Sequence, residues 1–154
     1  MLRIGEIENN KDLNEVRKLF DAYASSLGIS LDFQDFDQEL ANLPGDYSPP
    51  DGFLLIGYWE GKVAGCVALR KFAYGICEMK RLYTKPQFRA LGIGRALCET
   101  TIVRARRIGY ESMRLDTLAS MERARGLYAS LGFMEIEPYR YNPIEGAHFM
   151  ELVL

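Results

Sequence analysis

Histidine is almost missing from this chain: His148 is the only one among 154 residues, and Trp59 is the only tryptophan. Cysteine is sparse as well, with Cys66, Cys77 and Cys98 far apart and no C-x-x-C pair. A structural zinc site needs Cys and His ligands at set spacings, and a disulfide framework needs an even set, so neither has support. The thiols read as buried side chains in a reducing compartment. One histidine and scattered cysteines also leave no Cys/His nucleophile pair. No apolar run is long enough to span a membrane, and Met1-Leu2-Arg3-Ile4-Gly5-Glu6 has no apolar secretory core. Charge of one sign is not in excess: 19 Lys and Arg stand against 21 Asp and Glu, which gives no general affinity for nucleic acid. The phosphate-loop pattern G-x-x-x-x-G-K-[ST] is absent, which argues against nucleoside triphosphate hydrolysis.

What remains is an ordinary globular composition, 48% hydrophobic and 26% charged, long enough for one domain over residues 1–154 with a real core. A cytoplasmic location is the expectation. Basic residues gather between Lys80 and Arg107, opposite acidic stretches at 32–51 and 135–137. That asymmetry suits one anionic ligand better than a polyanion.

Residues 2–7 alternate as a first strand, and Asn9 or Asn10 can cap a helix carrying Leu13, Val16, Phe20, Tyr23 and Leu27, closed by Gly28. A second helix is expected over 31–43, with Phe33, Phe36 and Leu40. Residues 44–52 hold three prolines and two glycines and read as a loop. Two apolar runs, 53–59 and 63–69, joined at Glu60-Gly61, form an antiparallel hairpin. The strand at 76–84 ends at Pro86, which has no N–H to give a ladder. A helix over about 93–108 should bury Ile93, Ala96, Leu97, Thr100 and Val103. Strands follow at 113–116, 133–136 and 147–154, and Ser120 is placed to cap a helix carrying Met121, Ala124, Leu127, Tyr128 and Leu131. The order β-α-α-β-β-β-α-β-α-β-β implies a mixed α/β fold, a central sheet with helices on its faces. His148 reads as a strand residue rather than a ligand.

Between the strand at 76–84 and the helix at 93–108 lies Arg89-Ala90-Leu91-Gly92-Ile93-Gly94-Arg95. A glycine-bearing loop that opens a helix turns free N–H groups and the positive dipole end toward one point, which suits phosphate. Gly92 and Gly94 let a ligand approach the backbone, and Arg89 and Arg95 add donors of the right sign. The bland alternative is a tight turn with two solvated arginines. A dinucleotide fingerprint fits poorly, because Leu97 stands at the third glycine position and the preceding hairpin is antiparallel.

Arg89-Ala90-Leu91-Gly92-Ile93-Gly94 matches [RQ]-x-x-G-x-[GA], and Leu127-Tyr128-Ala129-Ser130-Leu131-Gly132-Phe133 matches L-Y-x-x-L-G-F. On these two motifs, in this order, the chain resembles the GNAT superfamily of N-acetyltransferases. The resemblance implies a mixed, mostly antiparallel sheet of about six or seven strands with helices on both faces. It implies that Arg89, Ala90, Leu91, Gly92, Ile93, Gly94 and Arg95 hold the pyrophosphate of acetyl-coenzyme A. It also implies that the backbone of Leu82, Tyr83 and Thr84 pairs with the pantetheine arm. Met121 departs from the asparagine often found there, which leaves that pantetheine contact in doubt.

Transfer to an amine with a pKa near 10 needs a proton acceptor at neutral pH. Glu78, in an otherwise apolar-rich strand, is the expected general base; the alternative is a solvent-facing carboxylate paired with Lys80 or Arg81. By resemblance Tyr128 protonates the departing thiolate; the alternative is a packing residue on the stripe of Ala124 and Leu131. The expected reaction is direct transfer from acetyl-coenzyme A to a primary amine of a small molecule or peptide, in a ternary complex and with no metal. A non-catalytic acyl-coenzyme A-binding module on the same fold is the alternative, and homodimer formation stays open. By the resemblance, Tyr23, Phe33, Tyr47, Tyr139, Arg140 and Tyr141 border the expected acceptor pocket, which would suit a small amine bearing a carboxylate; the alternative is that the tyrosines are packing residues at loop ends.

Overall fold

The computed structural model describes residues 1–32 and 35–154. Strand β1 (Leu2–Glu6) is followed by α1 (Asn10–Leu27) and a short α2 (Phe36–Ala41). Then come β2 (Phe53–Trp59), β3 (Lys62–Ala73), β4 (Ile76–Thr84), α3 (Ile93–Ile108), β5 (Ser112–Thr117), α4 (Glu122–Ser130), β6 (Met134–Ile136) and β7 (His148–Val153). The seven strands form one sheet in the order β1-β2-β3-β4-β5-β7-β6. Every neighbouring pair is antiparallel except β4 and β5. This is the mixed, mostly antiparallel sheet that the sequence implies.

Local chemistry sets the boundaries. The Asn9 side chain accepts the Asp12 N–H at 2.9 Å to start α1, and Gly28, at φ +67°, ends it. The described part of α2 is shorter than 31–43, and the expectation for Phe33 lies outside the described residues. Ser120 does not cap α4, whose N-cap is Met121 without a capping bond. Instead the Arg125 guanidinium takes the carbonyls of Leu118 and Ala119 at 2.7 and 2.6 Å and fixes the approach to that helix.

Each face of the sheet covers its own apolar cluster. Helices α3 and α4 pack Ile93, Leu97, Cys98, Ile102, Ala105 and Tyr128 against Leu55, Leu69, Cys77, Met79 and Leu115. The buried face of α3 is thus rotated from the expected one, and Val103 is exposed. On the other face α1 and α2 pack Val16, Leu19, Phe20 and Phe36 against Leu54, Ile56, Cys66, Ala68 and Tyr83.

Strand β4 changes parity. Cys77 and Met79 face the α3 cluster, as strand alternation requires, but past Arg81 it is Leu82 that packs there while Tyr83 faces α1. The cause is a bulge: Cys66 pairs with Tyr83 but Ala68 pairs with Lys80, which leaves one extra residue on β4. Arg81 takes up the extra length at φ +61°, a left-handed conformation that costs a non-glycine residue roughly 1–2 kcal/mol. Its guanidinium is gripped by Glu39 of α2 at 2.8 and 3.0 Å and lies over the Phe36 ring at 5.1 Å, while the Cys66 thiol donates to its carbonyl. Glu39→Ala would leave that guanidinium buried without its carboxylate, at a cost of about 3–5 kcal/mol. We expect a melting temperature lower by roughly 6–20 °C in differential scanning calorimetry; a change under 2 °C would show that the bulge holds without α2.

Candidate active site

The parallel pairing of β4 with β5 is brief. It joins Ile76 to Ser112, Cys77 to Met113 and Glu78 to Arg114, and then stops. Beyond that point the two strands part, and a small chamber fills the gap. Because the gap breaches the sheet, residues from both layers line it: Tyr23, Leu27 and Leu31 from the α1 side, Leu115 and Tyr128 from the α4 side. Lys80, Arg81, Asp116, Thr117 and Asn142 add polar groups to its lining.

An open groove of about 800 Å³ runs from this chamber to the N-terminus of α3. Leu27, Leu82 and Met121 line both spaces, so the two adjoin. The structure brings Leu82, Tyr83, Thr84, Arg89, Ala90, Gly92, Ile93 and Gly94 onto the groove wall, facing Ser120 to Ala124 and Leu127 across it. The loop backbone is left-handed at both Ala90 (φ +66°) and Gly92 (φ +79°), which turns the chain sharply into α3. No side chain caps that helix, so its first amides stay available at the end of the groove. A Cβ on Gly94 would sit 3.8 Å from Thr84 Oγ1 and from Leu127 Cδ2, both groove-lining residues, so glycine keeps this width open.

The two arginines are engaged. Arg89 Nε donates to the Thr84 carbonyl at 3.1 Å and ties the loop to the end of β4. Arg95 Nη2 donates to Ser130 Oγ at 2.7 Å, and its other terminal nitrogen lies 3.7 Å from Glu99. Arg95 is turned toward α4, and Leu91 is exposed.

Glu78 is not solvent-facing. It is fully buried, and its carboxylate is the hub of a cage. Arg70 Nε and Arg140 Nη2 donate to Oε1 at 2.9 and 3.0 Å, and the Tyr139 hydroxyl donates to Oε2 at 2.7 Å. Lys80 Nζ stands further off, at 4.0 Å, while Arg81 pairs with Glu39 instead. Burial opposes the charge, but Lys80, Arg140, Arg70 and the Tyr139 bond outweigh it and hold the carboxyl below its ordinary range. This arrangement corrects the solvent-facing alternative for Glu78: both carboxylate oxygens are taken inside the fold and their charge is favoured.

Tyr139 and Arg140 come from the 137–147 loop, and no sequence pattern links them to Glu78 sixty residues away. Their aromatic packing shows why the loop stays: Tyr139 meets Phe72 and Phe149 edge to face at 5.0 and 5.4 Å. Arg140 Nε is buried without a partner among the described residues. Of the other expected pocket residues, Tyr23 lines the chamber, Tyr47 packs edge to face on Phe20, and Tyr141 is exposed. Tyr128 reaches the chamber from α4; burial first, then Cys98, Tyr23 and Asp116, push its hydroxyl well above the phenol range, so it stays protonated. His148 begins β7 and pairs with Glu135 at 2.8 Å. Among the described residues no group of three His, Cys, Asp or Glu side chains could hold a metal, and no helix is long and apolar enough to cross a membrane.

Residues 13–133 match the model of the Acetyltransferase (GNAT) family. An uncharacterized N-acetyltransferase of Schizosaccharomyces pombe is 40% identical over 153 residues, which is 98% of this chain and 94% of that protein. The fold is similar to an acetyltransferase from Streptococcus agalactiae, with a TM-score of 0.81 at 24% identity over 99% of this chain and 98% of that one. It is also similar to the PaiA N-acetyltransferase of Thermoplasma acidophilum in complex with coenzyme A, with a TM-score of 0.76 at 17% identity over 100% and 99%.

The cage predicts an acid limit to stability. A carboxyl held below its unfolded pKa stabilises the fold above about pH 4.5, and that contribution is lost as pH falls through the folded value. Glu78→Gln should remove this acid dependence and, at pH 7, cost about 3–5 kcal/mol by leaving two guanidinium groups unneutralised. Urea unfolding of both proteins between pH 3 and 7 measures it; equal stability at pH 7 would refute the cage.

Proposed function

The chain belongs to the GNAT acetyltransferase family, and from that membership we propose that it transfers an acetyl group directly from acetyl-coenzyme A to a primary amine, with both substrates bound together. The observation that carries this reading is the adjacency of two spaces: a long groove ending at an uncapped helix N-terminus, and a chamber in the breach of the sheet. A phosphate-bearing co-substrate suits the first, and a thioester at its far end would lie beside the second.

The residues divide the chemistry among them. The amides of Gly92, Ile93, Gly94 and Arg95 offer hydrogen bonds to the pyrophosphate, aided by the α3 dipole. The loop of Ala90 and Leu91 shapes that cradle, and Arg89 stiffens it from Thr84. Where β4 has left β5, the backbone of Leu82, Tyr83 and Thr84 can pair with the pantetheine arm, and an N–H there can polarise the thioester carbonyl. The amine nitrogen attacks the carbonyl carbon, the C–S bond breaks, and the thiolate leaves toward Tyr128. A hydroxyl with so high a pKa serves that sulfur as a hydrogen-bond donor more readily than as a full acid.

Four measurements test the reading. Free thiol should appear when acetyl-coenzyme A is mixed with an acceptor from a panel of amino acids, polyamines, aminoglycosides and peptide N-termini, while ping-pong kinetics would overturn direct transfer. Coenzyme A at 100 times its Kd should add roughly 2.7 kcal/mol of stability, and no thermal shift at saturation would sink the proposal. Tyr128→Phe should lower kcat about tenfold to a thousandfold with little change in coenzyme A affinity. Gly94→Ala should keep its melting temperature yet bind coenzyme A about tenfold more weakly, because the added methyl enters the groove without striking the fold.

A further inference from the structure

Transfer of an acetyl group to an ammonium ion liberates a proton that must leave before the nitrogen can attack. The sealed Glu78 carboxylate is badly placed to take it, so another group at the chamber must do so. We propose that Lys80 is the proton acceptor of the transfer and that Glu78 is the positioning residue that holds it there. The inference rests on the acetyl-transfer reading above.

Lys80 lines the chamber, and its side chain is only 4% exposed. It lies two residues past the last β4–β5 pair and one before the bulge, at the mouth of the breach. The charged and titratable groups around it are Glu78 and Arg81 on its own strand, Asp116 on β5 and Arg140 on the 137–147 loop. Tyr23 from α1, Tyr128 from α4, Thr117 and Asn142 also line the chamber. Glu78 does not depend on the lysine for neutrality. Its Oε1 already holds two guanidinium groups at 2.9 and 3.0 Å, whereas the Lys80 nitrogen stands 4.0 Å away. An arginine cannot give up its proton, so when this site loses one it comes from the lysine.

Burial acts in the same direction. It pushes the Lys80 amine down to about 8, against the pull of Glu78, with Arg81 and Arg140 assisting and Asp116 resisting. A substantial fraction is therefore neutral near pH 8, where a base matched to the working pH is most effective. The steps balance as follows. The neutral Lys80 amine takes one proton from the substrate ammonium and becomes an ammonium. The freed amine attacks the thioester carbonyl, the C–S bond breaks, and the second N–H proton ends on the departing thiolate. Lys80 then returns its proton to water. Asp116 is the rival acceptor at the chamber, a carboxylate that takes a hydrogen bond from Asn142 Nδ2 at 3.2 Å.

Lys80→Arg separates a proton acceptor from a mere positive charge. With the fastest amine of the panel, wild-type kcat should rise with pH through about 8 and then level. Lys80→Arg should lose a hundredfold or more in kcat together with that limb, while keeping its coenzyme A thermal shift. If Lys80→Arg retains wild-type kcat and the same limb, or if Asp116→Asn alone abolishes the limb, the proposal is overturned. A carbon-13 titration of lysine Cε in the wild-type protein with coenzyme A, assigned against Lys80→Arg, needs no acceptor. A Lys80 midpoint below 9 supports the proposal and one above 10 refutes it. If no amine in the panel is acetylated, the transfer reading fails on its own, and the titration still decides whether Lys80 can hold and release a proton at working pH.

Discussion

The grip of Glu39 on Arg81 governs the geometry of this molecule. Arg81 is a non-glycine residue in left-handed backbone in the middle of a strand, and without compensation it would revert. A bidentate carboxylate, an aromatic ring and a thiol donor to its carbonyl supply that compensation. The extra residue that results exchanges which side chains of β4 face which helices. Upstream, Glu78 and Lys80 project to the α1 side; downstream, Leu82 packs beneath α3 and α4 and lines the groove. A regular strand would align these groups differently and could not offer one wall to the groove and another to the chamber.

Charge is arranged with the same economy. Three cations and a neutral phenol share the space around one carboxylate, and hydrogen-bonding geometry ranks them: two guanidinium groups close in, the phenol on the other oxygen, an ammonium at arm's length. Removing charge from the innermost members would strand their partners in a low-dielectric interior. The outermost member lines the open chamber, which neither of the two guanidinium groups does.

The sequence made the elements legible wherever the determinants are local. Period-two alternation, Asn9, Gly28 and Pro86 mark ends that the structure places within a few residues of expectation. The glycine loop was legible for the same reason, since a φ above zero leaves few choices of residue. Long-range determinants were not. Nothing in the residues near Glu78 announces Tyr139 and Arg140, so the cage around its carboxylate was not legible from the strand. The bulge hid because Arg81 has no reason of its own to be left-handed; the reason sits on α2. Ser120 looked like a cap, but Arg125 reaches back from within α4 and satisfies the loop carbonyls first. The buried face of α3 carries Cys98, Thr101, Ile102 and Ala105 in place of the expected Thr100 and Val103.

The 137–147 loop starts beyond the stretch that matches the family model, which ends at residue 133. Yet this loop delivers both Tyr139 and Arg140 to the buried carboxylate. The groove at α3 is built wholly from residues before it. The molecule is therefore modular in its ionisation as well as in its binding. Exchange of one peripheral segment would retune the proton affinity of the interior while the co-substrate groove stayed as it was. Within such an architecture, the pH at which an enzyme works and the co-substrate it uses become separately adjustable traits.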